Sequence, residues 1–261
     1  MELNRMVSVI MPAYNAEAFI ADSIQSVIAQ TYPNWELLVI DDASSDKTKE
    51  IVKGFSEKDK RIKLLGNDSN LGTHHSRNKG IKAAQGDLIA FLDADDQWKP
   101  WKLYRQVKIL QEERIAACFS SYELISENGD PLHKKIEALP RLSYEKLLKA
   151  NYVGNLTGIY DAQKIGKIYC PEISKRQDWA LWLKVIEKGG PMTGIEESLA
   201  IYRVRKNSIS RNKLEMLKYN FRIYHEVLGY SYFSSLSKML VFLNEQFFVK
   251  SRQTKIIATE K

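Results

Sequence analysis

Cysteine is almost missing from this 261-residue chain: the two present, Cys118 and Cys170, lie far apart with no partner at metal-ligand spacing. That excludes a disulfide framework and a zinc cluster, and makes a reducing cytoplasm the expected home. Long apolar runs are missing as well. The opening MELNRMVSVIMPAYN meets Pro12 too early for a signal peptide, and the longest late run, MLVFLNEQFFV, is interrupted by Asn244, Glu245 and Gln246. No membrane-spanning segment is expected. There are no repeats, no low-complexity tract and no Gly/Ser linker. No G-x-G-x-x-G follows the first apolar run and no G-x-x-x-x-G-K-[ST] occurs, so the phosphate grips of dinucleotide enzymes and P-loop ATPases are excluded.

What is present is ordinary globular material, 44% hydrophobic, 27% charged and 10% aromatic. Its length suits one large α/β domain with an appendage. The net charge of +7 is unevenly placed: Arg203 to Lys255 holds 11 basic and 3 acidic residues, and the first 202 residues sum to −1. A near-neutral body with a basic, aromatic-rich tail speaks against a nucleic-acid-binding domain. It points to a localised anionic partner such as a bilayer surface, with Lys213, Lys218, Arg222, Lys238, Lys250 and Arg252 as contacts. A solvated helical face is the other reading, and Phe221, Tyr224, Phe242 and Phe247 would then pack on the body or on a second subunit.

Apolar periodicity predicts strands at Val7 to Pro12, Glu36 to Asp41, Arg61 to Gly66 and Asp87 to Ala94. Helices are expected around Ile20 to Ile28, after a Ser44 or Ser45 cap with Asp46 in the first turn, and around His74 to Ala84. Later, AACFSSYELIS and LAIYRVR read as strands, Ser143 to Ala150 and Asp178 to Lys188 as helices, and two more helices follow Arg211 with a break near Gly229 to Ser231. Strands alternating with helices imply a mostly parallel sheet covered on both faces, with ligands at the edge formed by the strand C-termini. Pro12 to Asn15, Asp41, Asp42 and Asp93 to Asp96 all arrive at that edge. Carboxylates so gathered repel one another unless a cation sits among them. Asp93-Ala94-Asp95 therefore reads as a Mg²⁺ or Mn²⁺ diphosphate site; the alternative is a cap for the helix near Pro100.

VSVIMPAYNAEAFI, VIDDASSDKT, NLGTHHSRNKGIKAAQGDLIAFLDADD, RQDWALW and YRVRKNSIS, in this order, resemble the family 2 inverting glycosyltransferases of bacterial surface-polysaccharide assembly, of the teichuronic acid, capsule and O-antigen type. The likeness spans about residues 6 to 210. It implies a Rossmann-like nucleotide-diphospho-sugar transferase (GT-A) fold, a nucleotide-sugar donor, commonly a UDP-hexose or UDP-N-acetylhexosamine, and Mn²⁺ or Mg²⁺. A polyprenyl-diphosphate-linked glycan would be the acceptor, at the cytoplasmic membrane face. Residues 1–114 would bind donor, 115–210 acceptor, and 211–261 would form a helical appendage.

By the same resemblance, Pro12 and Tyr14 flank the base, Asp42 hydrogen-bonds it, Arg77 lies near base or diphosphate, and Asp93 lies near ribose or sugar. Asp95 takes the metal, and Arg203 and Arg205 close over the leaving diphosphate. Asp178 of RQDW takes the position of the catalytic base, although Gln177 stands where a Glu is commoner. Trp179 beside it is the acceptor-binding candidate. One positioned carboxylate suffices to take the acceptor proton in a single in-line displacement, unlike a glycosidase, which needs two. A sugar nucleotidyltransferase shares the sheet and the acids, but PAYNAEAF lacks its Gly-rich loop. A non-catalytic module of the same fold has Gln177 as its only support.

Overall fold

The computed structural model describes residues 3–205 and 213–257. The motif residues 206–210 of YRVRKNSIS, and Arg211, lie outside the described residues, as does the side chain of Lys213. In the first half the chain alternates strand and helix: β1 (Val7–Ala13), α1 (Ile20–Ile28), β2 (Trp35–Asp41), α2 (Thr48–Lys58), β3 (Ile62–Gly66), α3 (Thr73–Ala83) and β4 (Leu88–Phe91). These strands pair in parallel in the order β3-β2-β1-β4. Every residue of β1, β2 and β4 is buried, which is how a strand covered on both faces reads in sequence.

Successive side chains of a strand point to opposite faces, and the two cores divide accordingly. Ile10, Leu38, Ile40, Ile89 and Phe91 face Ile81 of α3 on one side. Val9, Met11, Leu37, Val39 and Ala90 face Ile20, Ile24 and Val27 of α1 and Val52 of α2 on the other. Helix α3 lies so close that a Cβ on Gly80 would stand 2.6 Å from Ile10 Cγ2 and 2.7 Å from Ile40 Cδ1. Glycine here sets the helix-to-sheet distance.

The second half is mixed. After β5 (Gln97–Trp98) and α4 (Lys102–Glu112) come β6 (Ala117–Ile125), β7 (Pro131–Ile136), β8 (Arg141–Leu142), α5 (Tyr144–Lys149), β9 (Ile159–Asp161), α6 (Ala162–Ile165), α7 (Gln177–Gly189) and β10 (Met192–Arg203). Strand β9 runs antiparallel to both β4 and β6, joining the halves into one sheet. Strand β10 runs parallel to β6 and antiparallel to β5 and β8. The longest ladders are the parallel ones.

The C-terminal segment comprises α8 (Lys213–Arg222), a π-helical turn at Ile223–Val227, α9 (Tyr232–Asn244) and β11 (Thr254–Ile256). It packs on the rest of the chain. Ile223, Tyr224 and Phe242 belong to the core beside Trp179, the Tyr224 hydroxyl donates to Leu148 O at 2.8 Å, and β11 pairs with β7. The helix break at Gly229 to Ser231 is as expected, with Gly229 at φ +71°. Helix α2 begins later than Ser44 or Ser45. Those two hydroxyls are not its cap: Asp46 Oδ1 accepts from Thr48 N at 3.0 Å, while Ser44 Oγ accepts from Asn15 N.

Candidate active site

The strand ends deliver the acids to one edge. Beyond β1, Asn15 has φ 47°, and beyond β2, Ala43 has φ 60°; both are left-handed conformations that non-glycine residues adopt only when held. They are held by each other's loops. Asn15 N donates to Ser44 Oγ at 3.0 Å, Ser45 N to Asn15 Oδ1 at 2.9 Å, and Ala16 N to Thr48 Oγ1 at 2.8 Å. Pro12 is buried in β1, and Tyr14 stands 51% exposed on the stiffened loop.

Asp42 is buried and engaged from several sides. Its carboxylate accepts from Asn67 Nδ2 at 2.7 Å, Leu71 N at 3.0 Å and Gly72 N at 2.8 Å. Burial pushes its carboxyl up, but those bonds and Ser76 outweigh burial and hold it below the usual range. Asp42 thus organises the loop before α3, and Gly72, at φ 87°, presents the N–H that meets it. The neighbouring Asp41 keeps a buried Oδ1 with no partner among the described residues.

Arg77 of α3 is buried and donates to Asp93 Oδ1 at 2.6 Å. Burial opposes its charge, and Asp93 and Asp178 more than restore it. Asp95 Oδ2 accepts from Arg205 at 2.9 Å. Arg203, buried at the end of β10, spans the edge: its backbone N–H donates to Asp96 Oδ1 at 3.0 Å, Nε to Asp95 O at 3.0 Å and a terminal nitrogen to Glu127 O at 3.0 Å. Both guanidinium groups lie over Phe19, 5.0 Å and 4.9 Å from the ring centroid. Even so, burial and the neighbouring Asp93 push the Asp95 carboxyl up, and burial with Asp95 and Asp93 raises Asp96 well above its usual range.

Asp178 lies in the first turn of α7, half-buried, and its Oδ2 accepts from Asn151 Nδ2 at 2.9 Å. Its charge favours the protonated forms of Arg77, Arg176 and Lys250. Trp179 is not at the site. It is fully buried, its Nε1 donates to Leu147 O at 2.8 Å, and its ring meets Tyr224 and Phe242 at 5.7 and 5.9 Å. Successive helix residues are 100° apart, so the neighbour of an edge-facing Asp178 turns inward. Asn67, Asn151 and Arg176 were not singled out from sequence. Only Asn67, in the turn-forming NDSNLG loop, carried a recognisable local signal.

Among the described residues no group of three metal-ligating side chains occurs. A hard divalent ion at this edge would therefore be held by one or two carboxylates and completed by substrate oxygens.

A family model described as Glycosyl transferase family 2 matches residues 8–167, from the second residue of β1 through α6. The chain belongs to glycosyl transferase family 2. Within it, the chain is 40% identical over 222 residues to TuaG of Bacillus subtilis, a glycosyltransferase assigned to teichuronic acid biosynthesis, covering 85% of this chain and 88% of that one. It is 39% identical over 241 residues to WfgD of Escherichia coli, a UDP-Glc:α-D-GlcNAc-diphosphoundecaprenol β-1,3-glucosyltransferase, covering 92% and 91%. The fold matches that of residues 1–349 of TarS from S. aureus, solved with UDP-GlcNAc, with a TM-score of 0.73 at 21% identity over 94% of this chain and 73% of that one. The nucleotide-sugar transferase fold expected from sequence is thus the observed one, and family 2 membership argues against the nucleotidyltransferase alternative.

Proposed function

We propose that this chain is an inverting glycosyltransferase of bacterial surface-polysaccharide synthesis. It moves a hexose or N-acetylhexosamine from a UDP-sugar to a hydroxyl of a polyprenyl-diphosphate-linked glycan. The observation that carries the reading is an acidic edge at Asp93 to Asp96 faced by Arg77, Arg203 and Arg205, with a separate carboxylate, Asp178, held by Asn151. The 39% identity to an enzyme named for a UDP-glucose donor and a diphosphoundecaprenol acceptor supports the substrate class.

In this reading Tyr14 and Pro12 receive the base, with Asp42 and its loop beside it. Arg77, Arg203 and Arg205 face the diphosphate, where fixed positive charge favours departure without a proton donor. A divalent ion, Mn²⁺ or Mg²⁺, would be held by Asp95 beside Asp93 and supplies further charge neutralisation to the leaving group. The raised carboxyls of Asp95 and Asp96 fit a site that gains by taking a cation. Asp178 accepts the acceptor hydroxyl proton as that oxygen attacks the anomeric carbon from the face opposite the diphosphate. One displacement inverts the centre, so an α-linked donor gives a β-glycoside.

Titration of UDP in a calorimeter tests the donor site. Saturable binding is expected with Mn²⁺, weakened at least tenfold by chelator, because an ion held by Asp95 would add positive charge beside the diphosphate. Equal affinity in both conditions would remove the metal from the reading.

A lipid-borne acceptor would bring the enzyme to a membrane, and exposed residues of the C-terminal segment would contact it. Phe233, Leu240, Phe247 and Phe248 are 64 to 82% exposed, and Lys218, Arg252 and Lys255 are exposed in the same segment. Tyr224 and Phe242 instead pack inward on the body, and Lys250 turns inward to Asn151. No described helix is long and apolar enough to cross a bilayer. Burying one large apolar side chain is worth ~2 kcal/mol, so Phe233→Ser with Leu240→Ser should lower partition into anionic vesicles by at least tenfold. Binding should also weaken as salt rises. Unchanged partition in the double variant would discard this surface.

A further inference from the structure

Two cations beside Asp178 have no task in the donor site. Lys250 belongs to a 3-10 turn, Lys250–Gln253, late in the chain. That turn is anchored at both ends. Before it, Glu245 pairs with Lys146 and accepts from the Tyr152 hydroxyl at 2.5 Å. At its end, Gln253 exchanges hydrogen bonds with Glu137 at 2.8 and 3.0 Å, and beyond it β11 joins β7. The Lys250 ammonium is thereby delivered to the backbone carbonyl of Asn151, the residue whose side-chain amide holds Asp178. Arg176, two residues before Asp178, is locked at φ 64° and keeps a buried Nε with no partner. Neither cation makes an ion pair among the described residues.

Burial draws Lys250 down to about 8, with Arg176 adding to the effect, and burial also lowers Arg176. Asp178 opposes both shifts, and no carboxylate of the Asp93 to Asp96 cluster bears on either. Arg77, by contrast, is influenced by Asp93 as well as Asp178. Geometry ties both cations to Asp178: Lys250 meets the residue that donates to its carboxylate, and Arg176 stands two positions before it at the start of α7.

We propose that Lys250 and Arg176 form an anion site that takes the phosphate of an acceptor whose attacking hydroxyl and phosphate are carried by the same sugar. This rests on the glycosyltransferase reading and deepens it. An acceptor hydroxyl at Asp178 puts that sugar's anomeric phosphate one ring away, where two incompletely solvated cations gain a counter-charge. Acceptors with the phosphate several sugars distant cannot use the site. Lys250 comes from the segment that also carries the exposed apolar residues, so the same turn would present a lipid-borne phosphate to the base.

The test uses the full chain saturated with UDP and Mn²⁺, titrated with octyl α-N-acetylglucosaminyl diphosphate and with the neutral octyl α-N-acetylglucosaminide. Wild type should bind the diphosphate at least tenfold more tightly, and should take up a fraction of a proton near pH 8 as Lys250 becomes fully charged. In Lys250→Met and in Arg176→Gln the tenfold preference should fall at least fivefold, the proton uptake should vanish in the former, and Lys250→Arg should retain the preference. UDP affinity, measured alone, should stay within twofold in all three, which also reports that they fold. An unchanged diphosphate preference in both neutral variants overturns the proposal, as does no preference in wild type. Loss of UDP affinity in variants that still unfold cooperatively assigns the cations to the donor and also overturns it. The wider glycosyltransferase reading fails separately, by absence of UDP binding and sugar transfer in wild type.

Discussion

Asp178→Asn should lower turnover ~10³-fold while leaving UDP affinity within twofold. The substitution is nearly isosteric, and its amide oxygen can still accept from Asn151 Nδ2, which now holds the carboxylate at 2.9 Å. What disappears is the basicity. A positioned general base is worth about 10² to 10⁴ in rate, and 10³ corresponds to ~4 kcal/mol of transition-state stabilisation. The variant also leaves Arg77, Arg176 and Lys250 without the carboxylate that offsets their charge, so affinity for an anionic acceptor should not fall. The loss should appear in kcat rather than KM. Steady-state transfer from a UDP-sugar, with each substrate varied, reads both. Turnover within threefold of wild type would move the base elsewhere, with Asp93, the carboxylate that Arg77 holds at 2.6 Å, the next candidate.

Much of this site was legible because its parts sit at the ends of strands that sequence marks plainly. β1, β2 and β4 are apolar on both faces, so their ends, and the acids following them, could be located from the run lengths alone. β7 was invisible for the opposite reason: PLHKKI is mostly exposed, and only its partners β6 and β11 make it a strand. β9 is three residues long and owes its place to two non-local pairings. Trp179 was misplaced because adjacency in sequence was read as adjacency in space, which a helix does not allow. Lys250 was read as one more basic tail residue. Its meeting with Asn151 bridges 99 positions, and no local pattern encodes it. The C-terminal packing was hidden for a related reason: a basic, aromatic composition says what a segment's surface carries but not that Tyr224 and Phe242 face inward.

Lys102→Met should stabilise the protein near pH 7 and lose that advantage by pH 10. Lys102 is fully buried in α4, its ammonium 4.0 Å from the Trp98 ring centroid and 2.5 Å from Gln106 Oε1, with no carboxylate partner. Burial draws it down from 10.5 to about 7. A lysine depressed in the folded state binds fewer protons there than in the unfolded chain, so stability rises with pH through the interval from about 7 to 10.5. The interval is worth on the order of 5 kcal/mol. Below it, that sum is the full cost of keeping the group inside. Methionine has similar length and no charge, which removes the cost, but it leaves Gln106 Oε1 without its donor, a loss of about 1 to 3 kcal/mol. The balance at pH 7 is a gain of a few kcal/mol, and at pH 10, where wild-type Lys102 is nearly neutral at little cost, the variant should be equal or weaker. Urea unfolding of both proteins at pH 7 and pH 10, compared as a difference so that other titrating groups cancel, reads the change of sign. A constant difference across that range would mean that Lys102 keeps an ordinary affinity for its proton. Cys118, its buried neighbour, does not restore the balance, because burial pushes that thiol up to about 12 and keeps it uncharged through the same range.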